Sequence, residues 1–297
     1  MRFGYVGTFG SAELLVQQAV AVEQHGWDGF FTWDALSIGA DVTWDPWSLL
    51  AAVAVRTTRV RLGAMVFAPA RHQPWTLARQ VQTVDHLSGG RLVLPVGLGV
   101  DDDAAYSRVG PGAAGAAGST TGAAGATDPD RRPVATRERA ERLDDALEVL
   151  AAAAGGGPVT VHGRHSELRD VVLEPGTVQR PHVPVWVVGA WPSRRSIARA
   201  ARWDGVVLQR LRSADPVDAA MVRDVLAEIR ALRSADGRSG PYEVVLGQAL
   251  PQDSAAAAEA ARELEAAGVT WWVHADWSPS TSVEAHLDRI AQRPPIV

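Results

Sequence analysis

Residues 60–67 (VRLGAMVF), 74–87 (PWTLARQVQTVDHL), 88–90 (SGG) and 91–98 (RLVLPVGL) carry the decisive pattern. The first and last runs are short and apolar, as strands buried on both faces are. The run between them is longer and helical in pattern, opened by Pro74 and stopped by Ser88-Gly89-Gly90. Strand, helix, strand in that order means two parallel strands joined by a crossover.

The unit repeats in both directions. Upstream, strands at 2–7 and 29–33 alternate with helices at 11–25 and 46–56. Ser11 suits an N-cap, Gly26 a C-terminal stop and Pro46 a first turn. Downstream come a helix at 136–154 and a small hairpin across 159–162 and 171–173. Strands at 183–188, 205–208, 242–246 and 269–274 then alternate with helices at 193–202, 215–234, 254–267 and 283–292. Eight strand–helix units with one hairpin excursion predict an α/β fold, a (β/α)8 TIM barrel. It has an insertion after strand 4 and a small hairpin before strand 5, in a single domain over 1–297. The rival, a doubly wound open sheet, announces itself by G-x-G-x-x-G after its first strand. Here that strand ends Gly7-Thr8-Phe9-Gly10, and Gly97-Leu98-Gly99 is a fragment that reads as a tight turn.

Composition removes whole reaction classes. The chain has no Cys, no Lys and no Asn; all 29 basic residues are Arg. Thiolate chemistry, Schiff-base lysines and phosphate-loop NTPases are excluded with them. A net charge of −5 argues against a nucleic-acid partner. No stretch approaches the ~20 apolar residues of a membrane span. The first residues carry no apolar run of signal-peptide length, so a cytoplasmic protein is expected. Residues 112–127 are Gly, Ala, Ser and Thr throughout. Such a segment buries too little apolar area to offset its ordering entropy, so a mobile insertion at about 110–130 is expected. It is read either as a tolerated surface loop or as a lid.

In a TIM barrel the chemistry sits at the C-terminal ends of the strands. Trp33 and Asp34, Ala68 to His72, Gly97 to Asp103, Gly189 to Trp191, Gln209 and Arg210, Gln248, and His274 to Trp277 occupy those ends. Trp33, Trp191, Trp272 and Trp277 suggest walls for a planar aromatic ligand. Asp101-Asp102-Asp103 reads as a solvated loop, and no metal site is expected. His274 is the titratable group best placed at a strand end. The run from Gly189 through Ser193 and Arg194 opens a helix, whose free N–H groups and dipole suit a phosphate.

These residues resemble the bacterial luciferase-like family of flavin-dependent monooxygenases and oxidoreductases. Asp45-Pro46-Trp47, Arg56-Thr57-Thr58-Arg59-Val60-Arg61-Leu62-Gly63 and Leu87-Ser88-Gly89-Gly90-Arg91-Leu92 carry the likeness. Val178-Gln179-Arg180-Pro181, Pro184-Val185-Trp186-Val187 and Asp204-Gly205 extend it over nearly the whole chain. The resemblance implies a homodimeric barrel that holds FMN or the deazaflavin coenzyme F420 at the strand ends. It also implies a non-proline cis peptide at Met65–Val66 beneath the cofactor ring. The cofactor contacts it points to are Trp33, Met65, Val66, Ala68, Gly97, Leu98, Gly99, Gly189, Ala190, Trp191 and Arg194, with His274 and Asp34 as catalytic candidates. Two positions depart from the family pattern. Deazaflavin-using relatives show Asp-His after strand two, where this chain has Asp34-Ala35, and an acid used by sugar-phosphate dehydrogenases aligns with Val100. Sugar-phosphate oxidation is therefore not expected, since a missing general acid costs roughly 10²–10⁴ in rate. A flavin- or deazaflavin-dependent monooxygenase of a small organic substrate, with FMN favoured and a separate flavin reductase as partner, is the first reading. A flavin-binding relative without turnover is the second.

Overall fold

The structure, a computed structural model, describes residues 1–107, 134–278 and 281–296. The Gly/Ala-rich insertion expected at about 110–130 lies outside the described residues. The first half runs β1 (Arg2–Val6), α1 (Ala12–Gln24), β2 (Gly29–Thr32), α2 (Pro46–Arg56), β3 (Arg61–Ala64), α3 (Pro74–Ser88) and β4 (Leu94–Val96). A short α4 (Ala104–Ser107) and the long α5 (Thr136–Ala153) follow. Then come β5 (Pro158–His162), β6 (Glu167–Val172), β7 (Val185–Trp191), α6 (Arg194–Ala201), β8 (Gly205–Arg210) and α7 (Ala219–Ala235). The chain closes with β9 (Glu243–Gly247), α8 (Ser254–Ala267), β10 (Trp271–His274) and α9 (Val283–Ala291).

Eight strands pair in parallel in the order β3-β2-β1-β10-β9-β8-β7-β4. Parallel bridges at Leu62–Leu92 and Phe67–Val96 join the two ends of that order, so the sheet is a (β/α)8 barrel. β5 and β6 form the separate antiparallel hairpin expected before the fifth barrel strand.

Strand alternation sorts the side chains into two cores. Val6, Phe31, Val93, Trp186, Val207, Val245, Trp271 and Val273 pack together inside the barrel. Their neighbours in sequence, such as Tyr5, Phe30, Val206, Leu246 and Trp272, face outward and meet the helices. Trp186 and Trp271 lie 5.5 Å apart inside the cylinder. Each such burial is worth about 1.5–3 kcal/mol, so the lower barrel is packed solid. Within the cylinder itself, a ligand could sit only above this plug, at the C-terminal rim.

α2 and α8 keep the bounds read from sequence. In α2 the Asp45 carboxylate accepts from Ser48 N at 2.7 Å and Pro46 opens the first turn, so both start signals act together. Other elements differ. β3 ends at Ala64, and the Met65–Val66 peptide that follows is cis, as the resemblance implied. β7 and β8 run longer than expected, with Ala190 opposite Gln209 and Trp191 opposite Arg210. Gly189 to Trp191 are therefore strand, and the helix opens only at Arg194. α7 starts at Ala219 and not at 215, because Asp218 is its cap and accepts from Met221 N at 2.8 Å.

Candidate active site

The rim is built from inward-facing residues just beyond the interior core. Met65, Val66 and Val188 pack on that core and remain half-buried, which leaves an open apolar floor. Gly97 belongs to this floor: a Cβ there would sit 2.9 Å from Val66 Cγ2 and 3.1 Å from Val188 Cγ2. Trp33 follows the end of β2, its Nε1 donating to Thr8 O at 2.6 Å. Trp277 meets Trp33 edge to face at 6.0 Å, and Phe9 meets it at 6.2 Å. Trp277 stays 45% exposed, a large apolar face left in water beside an apolar floor. The buried Thr8 hydroxyl has no hydrogen-bond partner among the described residues.

Asp34 leaves this group. Its side chain is fully enclosed and forms an ion pair with Arg71. Its Oδ2 also accepts from Ala68 N at 2.9 Å and from His72 Nε2 at 3.1 Å. The carboxylate thus staples the chain after β3 to the end of β2, with Ala68 as part of the wall. Burial, and then the adjacent Arg71 guanidinium, lower the His72 pKa to about 4.

His274 lies at the end of β10, as expected, but faces away from the rim. Val273 and Ala275 point inward, so alternation sends His274 outward. There it lies 5.2 Å from the Tyr5 ring, and its Nδ1 accepts from Leu250 N at 2.9 Å. Tyr5 in turn donates to His286 Nδ1 at 2.8 Å. Burial, and then the charge of Arg289, lower the His274 pKa to about 4. Trp272 and Trp191 also face the outer layer, so of the four rim tryptophans only Trp33 and Trp277 meet. Trp272 Nε1 is taken by Gln248 O at 2.9 Å.

After β4, Leu98 packs outward and Gly99 takes φ +74 against Tyr106, where a Cβ would lie 2.6 Å from the hydroxyl. The three acids that follow are not a solvated run throughout. Asp101 pairs with Arg139, whose guanidinium stacks 4.8 Å from the Tyr106 ring. Asp103 is 1% exposed and accepts from Leu36 N and Ser37 N at 3.2 Å and from Ala105 N at 3.1 Å. It clamps the loop after β2 to the loop after β4. Asp103→Ala is expected to cost about 1–2 kcal/mol in urea unfolding, because it removes the acceptor shared by three part-buried N–H groups. An unchanged midpoint would contradict the clamp.

At α6, Ser193 Oγ accepts from Ser196 N at 3.4 Å, and Ser196 Oγ donates to Val188 O and accepts from Ala190 N. Gly189 is glycine for packing: a Cβ would lie 2.5 Å from Val206 Cγ2 and 3.1 Å from Ile197 Cδ1. The first-turn N–H groups of Arg194 and Arg195 have no intrahelical partner. Both guanidiniums are exposed and free of ion pairs among the described residues. The sequence reading missed Thr8, Phe9, Val188 and the Arg71–Asp34–His72 staple. The period of two continued from β1 and along β7 carried a signal for Thr8 and Val188 once the inward face was known; Phe9 falls outside that period, and the staple joins two units 34 or more residues apart and left none.

A closed parallel (β/α)8 barrel with a plugged interior and an apolar C-terminal rim defines the class of protein. The model of the luciferase-like monooxygenase family matches residues 2–293, and the chain belongs to that family. Among curated relatives, an F420-dependent glucose-6-phosphate dehydrogenase of Beutenbergia cavernae is 30% identical over 67% of this chain and 54% of its own. An uncharacterised protein of Sinorhizobium fredii is 30% identical over 52% of this chain and 36% of its own. The matched region thus spans at most about half of either relative. Two solved structures share the fold nearly end to end. Monooxygenase RslO1 of Streptomyces bottropensis has a TM-score of 0.71 at 21% identity, covering 98% of this chain and 96% of its own. The coenzyme F420-dependent tetrahydromethanopterin reductase of Methanopyrus kandleri has 0.74 at 14%, covering 99% and 98%. No helix among the described residues is long and apolar enough to cross a membrane.

Proposed function

We propose that the rim binds FMN and that the protein is a monooxygenase of a small, weakly polar organic substrate. One observation carries this: the half-buried apolar Met65–Val66–Val188 patch, the Trp33–Trp277 pair and the start of α6 at Arg194 all follow the C-terminal ends of barrel strands. The fit to a flavin rests on three features of these residues. The floor is apolar, the buried Thr8 hydroxyl lacks a partner among the described residues, and the α6 first turn holds unpaired N–H groups beside two guanidiniums without ion pairs among them. Met65, Val66 and Val188 would carry the ring, and Arg194 with the α6 N–H groups would hold the phosphate. When bound in reduced form, the cofactor supplies two electrons to dioxygen, one oxygen atom going to the substrate and the other to water.

The chain's own part is to bind, orient and exclude water. Trp33 and Trp277 shield the ring edge, and Thr8 offers a hydrogen bond. Asp34 positions the wall and stays clear of the reacting atoms, because its lone pairs already serve Arg71, His72 and Ala68 N–H. FMN is favoured over F420 because Ala35 supplies no proton donor at the position where deazaflavin enzymes use one. Homodimerisation and a separate reductase belong to the same reading. Arg194→Glu is expected to weaken FMN binding about tenfold while leaving riboflavin, which lacks the phosphate, unchanged. Equal losses for both ligands would remove Arg194 from the phosphate site.

Ala35, the enclosed Asp34 and the outward His274 also favour a second reading, a flavin binder without turnover. Ala35→His is expected to create activity in that case and to leave an active monooxygenase's turnover no higher.

A further inference from the structure

At the opposite end of the barrel, between α7 and the turns that enter β9 and β10, lies an open cavity of about 490 Å³. Arg230, Arg233 and Arg238 line it together with apolar Leu226 and Ile229 and the ring of Tyr242. None of its lining residues is acidic. Arg233 is held in place: its guanidinium lies 4.7 Å from the Tyr242 ring centroid, and Nη1 donates to Trp203 O at 2.9 Å and Ala201 O at 3.3 Å. Nη2 and Nε make no hydrogen bond among the described residues, so a fixed cation keeps donors to spare. Arg230 and Arg238 are exposed and form no ion pair among the described residues. Tyr242 is fixed in turn, its hydroxyl donating to Ala200 O at 3.1 Å. A basic last turn often only complements a helix dipole, and Arg233 does serve α7 in that way. That role explains neither a concave apolar wall nor three guanidiniums without a carboxylate.

We propose that this cavity binds a small organic anion, with a phosphate or carboxylate on the arginines and an apolar body against Leu226, Ile229 and the Tyr242 ring. The site is separate from the rim and does not depend on the flavin reading. Because the chain has no Cys, Ser234→Cys gives a unique attachment point at the cavity edge for a small trifluoromethyl label. The full-length labelled protein is titrated with phenyl phosphate, benzoate, phenol and inorganic phosphate, and the fluorine NMR signal is followed. Phenyl phosphate, benzoate or both should shift the signal saturably, and whichever binds identifies the anionic group. Binding should weaken at least about tenfold in Arg230→Glu/Arg238→Glu, as expected when charge-assisted hydrogen bonds are lost. These two positions are exposed, so the fold is spared, and circular dichroism confirms it. Phenol binding as tightly as the anions would overturn the charge requirement, and inorganic phosphate doing so would overturn the apolar wall. No saturable shift with either aromatic anion, or binding unchanged in the double variant, would overturn the site.

Discussion

Asp34→Ala lowers the stability of the protein by about 3–5 kcal/mol, the range expected when one partner of a buried ion pair is removed. The carboxylate has no exposed surface, and Arg71, opposite, is only 13% exposed in its side chain. Alanine would leave that guanidinium desolvated and unpaired, and would also release Ala68 N–H and His72 Nε2–H. For a chain of this size the melting temperature should fall by about 5–10 °C. Asp34→Leu combined with Arg71→Met removes both charges and should recover much of the loss, because no buried charge is then left alone. Because the staple sets the chain following Met65 and Val66, Asp34→Ala should also weaken flavin binding even where the fold survives. A double variant less stable than Asp34→Ala would show that the charge pair is not what Asp34 contributes.

The second large effect is acid destabilisation. His72 and His274 hold their folded pKa values at about 4, and burial lowers His286 in the same direction. The cause at His72 is desolvation plus Arg71, which already neutralises Asp34, so a protonated His72 would be a surplus cation. In the unfolded chain each histidine takes a proton near pH 6.5. Between about pH 6.5 and 4 the unfolded state therefore binds more protons than the folded one, and stability falls as pH falls. Two full shifts amount to about 3 kcal/mol each, most of it lost by pH 4. Urea unfolding at intervals from pH 7 to 4.5 should show an uptake of about two protons on unfolding. His274→Gln should flatten that slope by about one proton. A midpoint independent of pH across this window would contradict the buried neutral histidines.

The barrel was legible because its grammar is local. Pro46, Pro74 and Gly89 mark helix boundaries from within a few residues, and α2 and α8 fall where their caps say. The direction in which strand residues face was not legible. Trp271, Trp272, Val273 and His274 are all buried, so β10 shows no polar–apolar alternation to tell inside from outside. His274 and Trp272 were thus placed at the rim by position along the strand, when the face decides. The Asp101-Asp102-Asp103 run failed for a related reason. Three like residues in sequence have separate fates, and only the approach of Leu36 and Ser37 singles out Asp103. Gly189 was read as a cofactor contact, and the close approach of Val206 and Ile197 accounts for its missing side chain. The apolar floor needed three strands brought together at one level, which only closure of the ring provides.

Equilibrium titration of the purified protein with FMN and F420, oxidised and reduced, followed by quenching of tryptophan fluorescence, tests the rim most directly. Saturable micromolar binding of FMN, abolished when Val188→Trp fills the floor with a larger side chain, is the predicted result. Failure of both cofactors to bind, or binding indifferent to Val188→Trp in a protein that remains folded, would contradict it.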